Sequence, residues 1–298
     1  QHYDAPYILE KFADRVVTLP ISEDGNVNFA VGASLLGIKP VVDVITADFL
    51  YRAMDSICNT AAKLDFVSGR EHTIVVRAEF LTGGPTTGQR PEALFTHIPG
   101  LRVVIPSTPR DAYGLMTTAL RTPGVTIFFE DREIDDSGYF LDSDFDVGVG
   151  NHHINLGSAK WRDMGPRDSV VVVTYGIMRQ RVETIMKKWK AEHRNPDRFD
   201  KDSLDCGIVD LRSIYPMDWD LLRKAACRTR KLLIVEPNVT YGGVGAEIAA
   251  QAAEWPEVVR VRRLGSKRET LPAANHRQSA LLPSDEEIVN AIRELRQV

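Results

Sequence analysis

Cysteine is scarce. Cys58, Cys206 and Cys227 are scattered through 298 residues, odd in number and without metal-ligand spacing. That excludes a disulfide framework and fits a reducing, cytoplasmic setting. No apolar run approaches the ~20 residues that a membrane span needs. Charge of one sign is not in excess: the formal net charge is −4, so neither nucleic acid nor a membrane is expected as a partner. The opening Gln1-His2-Tyr3-Asp4 carries neither an apolar signal segment nor an arginine-rich transit pattern. There is no repeat of solenoid period and no low-complexity tract. His152 and His153 are adjacent, which does not put both side chains on one face of a strand, so no metal site is expected there.

What is present is an ordinary globular composition, 43% hydrophobic and 26% charged. The length suggests two domains. β-Branched runs alternate with helical stretches. Thr73–Ala78, Leu101–Ile105 and Val125–Glu130 read as strands, with a helix opened by Pro109 between the last two. A second series begins at Ser169 and runs strand, helix, strand, helix, strand, helix, strand to a last helix from Ser284, where Ser284 and Glu287 form a capping-box pattern. Between them, residues 131 to about 167 read as a long connection carrying short extended pieces, acidic and glycine-rich from Asp135 to Gly150. The expectation is two α/β domains with mostly parallel sheets, residues 1–150 and 151–298.

The chain is organised around Leu19-Pro20-Ile21-Ser22-Glu23-Asp24-Gly25. Val16–Leu19 reads as a buried strand, and Val27–Leu36, closed by Gly37, as a helix. A carboxylate on a strand-to-helix turn sits where open α/β sheets gather ligands. Acids also favour that helix end for capping, which is the simpler reading of this stretch alone. Pro40–Ile45 reads as a further strand, and Asp48-Phe49 opens a helix running to about Leu64.

The order of these motifs, with His97-Ile98-Pro99-Gly100-Leu101, Pro106-Ser107-Thr108-Pro109, Asp210-Leu211-Arg212 and Gly242-Gly243-Val244-Gly245-Ala246-Glu247, resembles the β subunit of the thiamine-diphosphate-dependent decarboxylating component of 2-oxoacid dehydrogenase complexes. The resemblance covers nearly the whole chain. It implies a transketolase-like pyrimidine-binding domain followed by a transketolase C-terminal-like domain. It also implies that Glu23 contacts the cofactor's aminopyrimidine and, by sharing a proton with N1′, promotes the imino tautomer. Phe49 matches the aromatic that stacks on the pyrimidine, and Ile45 the apolar residue beside it. Taken alone, Phe49 and Ile45 read as ordinary core residues. The glycine run does not satisfy a dinucleotide fingerprint and reads as a site of close helix packing.

Two departures qualify the resemblance. The Gly-Asp-Gly motif with a distant Asn, which holds magnesium and diphosphate in such enzymes, is lacking. The expectation is therefore that Mg2+ and the diphosphate are held mainly by an α-type partner chain, in an α2β2 heterotetramer. The loop Thr86-Thr87-Gly88-Gln89-Arg90-Pro91 lacks the family's histidine: Thr87 or Gly88 takes its place and Gln89 matches a glutamine. Thr87, Gln89 and Arg90 are the substrate-loop candidates, and Arg90 cannot act as a base. The family also begins with a further helix and strand before the equivalent of Leu9-Glu10-Lys11-Phe12, so the chain reads as a fragment or an unusual variant. The expected activity is decarboxylation of a 2-oxo acid with transfer of the acyl or acyloin fragment. The alternatives are half of a split transketolase acting on ketoses, and a non-catalytic structural subunit.

Overall fold

The computed structural model describes residues 5–81, 84–132, 152–163, 169–192, 204, 206–258 and 260–297. Two five-stranded sheets carry the molecule. In the first, β1 (Val41–Thr46), β2 (Thr73–Phe80), β4 (Gly124–Asp131) and β3 (Leu101–Val104) pair in parallel in that order. In the second, β10 (Arg260–Ser266), β9 (Lys231–Val239), β6 (Val170–Thr174) and β7 (Cys206–Asp210) do the same, and β5 (Lys160–Asp163) closes the edge antiparallel to β7.

The helices follow from local chemistry. α1 is Ala5–Phe12. α2 (Glu23–Leu35) begins after Ser22, whose Oγ accepts the Gly25 N–H at 3.3 Å. The chain leaves this helix through Gly37 at φ +82°, a conformation that glycine takes without steric cost. α3 (Leu64–Ser68) and α4 (Glu92–Thr96) are single turns. α5 (Pro109–Ala119) has Thr108 as its N-cap and proline in its first turn. α6 (Gly176–Glu192), α7 (Trp219–Thr229), α8 (Val244–Ala253) and α9 (Asn275–Ser279) serve the second unit. α10 (Asp285–Arg296) carries the capping box of Ser284 and Glu287 that the sequence predicts.

The two units are not independent. One apolar cluster runs from Val27 and Leu50 through Phe95 and Ile105 to Val209 and Leu222. β8 (Ser213–Tyr215), from the second unit, pairs antiparallel with β3 and so completes the first sheet. A second cluster fills the far face of the second sheet, beneath α6 and α10.

Two expectations need correction. Val16–Leu19 is not a buried strand: it pairs with no sheet, and Val17 is 62% exposed. Its β-branched residues suit a strand, but tertiary pairing rather than propensity decides. The helix expected from Asp48 is a succession of short turns, 3-10 at Ala47–Ala53, π at Ser56–Thr60 and 3-10 at Ala61–Lys63, before α3. The long connection carries a short extended piece, as expected: β5, Lys160–Asp163, which joins the second sheet. Thr82 and Gly83, the acidic stretch Asp135–Gly150 and the polar insert at 193–203 lie outside the described residues.

Candidate active site

Glu23 is the first residue of α2, directly after the N-cap. It is therefore within the helix rather than on the turn before it. Its side chain is only 11% exposed, and Oε2 lies 3.5 Å from Nε of Arg52, itself largely in solvent. Arg52 follows Phe49 by three residues in the 3-10 helix Ala47–Ala53. At three residues per turn Phe49 and Arg52 leave that helix on one side. Phe49 is half-buried against the core. The neighbouring Asp24 does a different job: with Asn28 it grips Ser56, whose Oγ donates to Oδ1 of Asp24, and Nδ2 of Asn28 donates to Ser56 Oγ at 2.6 Å. That network fixes α2 against the π turn and leaves the Glu23 carboxyl group free of capping work.

Ile45 ends β1 in an unusual way. Its φ is +72°, a true outlier for a β-branched residue. The register between β1 and β2 slips between Asp43 and Thr46, as a bulge requires. The bulge re-aims the side chain, and Ile45 stands 41% exposed at the carboxyl end of the sheet.

The loop after β2 is tied down at two points. The Gln89 N–H donates to both carboxylate oxygens of Asp48, at 3.3 and 3.2 Å, and its Nε2 donates to Oδ1 at 2.9 Å. Asp48 is buried next to Phe49, and burial pushes its pKa up while the Gln89 hydrogen bonds hold it down. Arg90 turns the other way. Its guanidinium pairs with Asp131 and lies 4.2 Å above the Phe80 ring, and its carbonyl accepts Nδ2 of Asn238 at 2.6 Å. Thr87 sits in a turn, its N–H bonded to the Gly84 carbonyl at 3.3 Å.

Behind that loop the two units meet over buried acids. Tyr175 donates to Oε1 of fully buried Glu92 at 2.9 Å. Fully buried Glu236 accepts the Gly245 N–H on Oε2 at 3.1 Å, while Oε1 has no hydrogen-bond partner. Burial raises the Glu92 pKa against the pull of Arg90. Burial, reinforced by the charge of Glu92, pushes Glu236 up to about 7 despite the Gly245 hydrogen bond. Farther along the seam, Ser107 donates to Asp210 at 2.7 Å and Arg212 pairs with Asp111 at 3.1 Å. The glycine run is structural here: a Cβ on Gly243 or Gly245 would come within 2.6 Å of a Glu236 carboxylate oxygen. A cleft of about 540 Å³ opens between the Gln89 loop and the Asn238–Gly243 and Ser266–Leu271 segments. Glu23, Ile45 and Phe49 do not line it.

The profile described as transketolase, pyrimidine binding domain, matches residues 3–134, and that described as transketolase, C-terminal domain, matches residues 159–288. The pyruvate dehydrogenase E1 component subunit beta of Rickettsia bellii is 32% identical, over 97% of this chain and 86% of that protein. The 2-oxoisovalerate dehydrogenase subunit beta of Bacillus subtilis is 30% identical over the same shares. The chain belongs to this family of 2-oxoacid dehydrogenase β subunits. The acetoin:2,6-dichlorophenolindophenol oxidoreductase subunit beta of Cupriavidus necator is 32% identical, over 82% of the chain and 68% of that protein. In solved structures, the inactive beta4 tetramer of a split-gene transketolase superposes with a TM-score of 0.78 at 20% identity, covering 97% of this chain and 87% of that one; it shares the fold.

In this β-subunit fold, then, Arg52 pairs with Glu23, Phe49 packs against the core one turn before Arg52, and Ile45 stands at the carboxyl end of β1. Gln89 reaches the same region only through Asp48, and Arg90 serves the seam between units. Asp48, Asp131 and Glu236 escaped sequence reasoning. Asp48 had a weak signal, an acid opening a helical stretch, which reads first as a cap. Among the described residues no group of three or more His, Cys, Asp or Glu could hold a metal ion, and no helix is long and apolar enough to cross a membrane.

Proposed function

We propose that the chain is the β-type subunit of a thiamine-diphosphate-dependent enzyme that decarboxylates a 2-oxo acid and passes the acyl or acyloin fragment to an acceptor. The carrying observation is Glu23: a nearly buried carboxyl group at a helix start, held by a mostly exposed arginine at 3.5 Å. Such an ion pair is weak, so the carboxyl group is available to a ring nitrogen. The site fits the pyrimidine half of the cofactor. Glu23 would share a proton with N1′, Phe49 would stack on the ring face, and Ile45 would flank its edge. When bound, thiamine diphosphate supplies the carbanion-stabilising chemistry, and the protein supplies orientation and electrostatics.

The residues around Glu23 support a partner as well. Val17, Ile21 and Phe29, close to Glu23 in sequence, and Ile45 are large apolar side chains left open to solvent, as an interface with a partner would use. We infer a hetero-oligomer with an α-type chain that holds the diphosphate and Mg2+, arranged as α2β2 in the cytoplasm. Relatives at 30–32% identity that are named as 2-oxoacid dehydrogenase and acetoin oxidoreductase subunits favour this activity over ketol transfer. The loop around Thr87 contributes hydroxyl and amide groups but no base, so any proton transfer there falls to the partner chain or the substrate.

The test is reconstitution with the α-type partner and a panel of 2-oxo acids and ketoses. Carbon dioxide release dependent on thiamine diphosphate is expected, and Glu23→Gln should lower it by about two to four orders of magnitude with assembly unchanged. Near wild-type turnover in that variant would refute the role of Glu23, and ketol transfer without carbon dioxide would refute the reaction.

A further inference from the structure

Ile45 holds a left-handed backbone conformation, φ +72°, that β-branched residues avoid. Such strain persists only where neighbours over-determine it. The neighbour here is Asp43, whose Oδ1 accepts the Ile45 N–H at 2.9 Å. Asp43 is in turn fixed from the adjacent strand: it is the register partner of Arg77, whose Nη1 lies 3.2 Å from its Oδ2. Arg77 is braced by Glu130 through Nε at 2.9 Å and by Glu79 through Nη2 at 2.9 Å. Burial opposes the Arg77 charge, but Glu130, Asp43 and Glu79 outweigh it and hold the guanidinium firmly protonated. Three neighbouring strands thus deliver one acceptor to one amide.

We propose that Asp43 is a positioning residue for the cofactor site: by accepting the Ile45 N–H it locks the bulge that aims the Ile45 side chain at the aminopyrimidine. This rests on the cofactor reading given above. Without the acceptor, Ile45 relaxes to an ordinary extended φ, its side chain swings off the ring, and the pyrimidine seats loosely. Misplacement by about an ångström can cost up to roughly a hundredfold in rate.

The experiment uses the reconstituted complex and titrates thiamine diphosphate, reading its apparent KM, kcat at saturation and the melting temperature of the assembly. Asp43→Ala should raise the cofactor KM by about tenfold or more and lower kcat, with the melting temperature changed little. Asp43→Asn keeps Oδ1 as an acceptor and should restore both kinetic constants to within about threefold of wild type, although it loses the charge toward Arg77. Should Asp43→Ala fail to assemble, Asp43→Leu, branched at Cγ as Asp is but larger and lacking an acceptor, takes its place. Wild-type cofactor KM and kcat in the acceptor-less variant overturn the proposal, as does an Asn variant as impaired as Ala. Glu23→Gln run in parallel separates the two ideas. If it abolishes turnover while Asp43→Ala is silent, the cofactor reading stands and the positioning role falls; if Glu23→Gln is also silent, the cofactor reading itself has failed.

Discussion

Replacing Glu236 by glutamine should remove the pH dependence that this one side chain imposes on stability. Glu236 is fully buried with Oε1 unpartnered, and burial lifts its pKa from an ordinary 4.5 to about 7. A carboxyl group raised in the folded state contributes its full stability below the unfolded value and loses it as pH climbs through the folded one. Between those limits the unfolded chain gives up a proton that the folded chain keeps, and each pH unit removes about 1.4 kcal/mol. Across pH 5 to 8 the loss comes to roughly 2.5 kcal/mol, with little further change above that. Glutamine keeps an acceptor for the Gly245 N–H and does not titrate, but it leaves an amide group without a partner, at a cost of about 1–3 kcal/mol. At pH 5 the variant should therefore be the less stable protein, and by pH 8 the gap should close or reverse. The assay is urea unfolding of both proteins at several pH values. Every other carboxylate is common to the two, so the difference curve isolates Glu236, apart from the shared field with Glu92. Parallel curves would mean that Glu236 is ionised in the folded protein and that the seam solvates it.

Gly245→Ala places a Cβ 2.6 Å from Oε1 of Glu236 and 2.9 Å from Ile234, so about 1–3 kcal/mol of stability should be lost, read as a lower urea midpoint; an unchanged midpoint would mean the helix start simply shifts. Thr87→His should leave the fold intact, because its turn lies on a surface loop, and should change kcat more than cofactor affinity; calorimetric loss of cofactor binding with unchanged chemistry would show that this loop holds the cofactor. The isolated chain should neither retain thiamine diphosphate with Mg2+ nor turn over substrate, and tight binding with turnover by the chain alone would remove the need for an α-type partner.

The parallel strands and most helix ends were legible because short-range chemistry decides them. Val170–Thr174 has only one way to bury four consecutive valines, and Ser284 with Glu287 closes its own cap. What was not legible depended on partners distant in sequence. Ser213–Tyr215 joins the first sheet because Val103 and Val104 offer a free edge, and no residue near 213 announces it. Val16–Leu19 has strand chemistry and no strand to pair with.

The candidate site divides along the same line. Glu23 was legible because a carboxylate between an extended run and a glycine-bearing helix is a local pattern, and the family resemblance gave it a role. Its setting was not, because Arg52 reaches it from across the fold. The substrate loop shows the limit most sharply. Gln89 and Arg90 are consecutive and read alike as polar loop residues, yet Gln89 binds Asp48 beside Phe49 while Arg90 binds Asp131 over the Phe80 ring. One residue's step along the chain moves a side chain from Asp48, beside Phe49, to the seam between units. The loop is therefore a link: it ties the helix that carries Phe49, through Asp48, to Asp131 and Asn238 at the seam between units. Roles for Gln89 and Arg90 consequently follow from where their neighbours hold them, and a kinetic effect of mutating Arg90 reports on that packing before it reports on substrate contact.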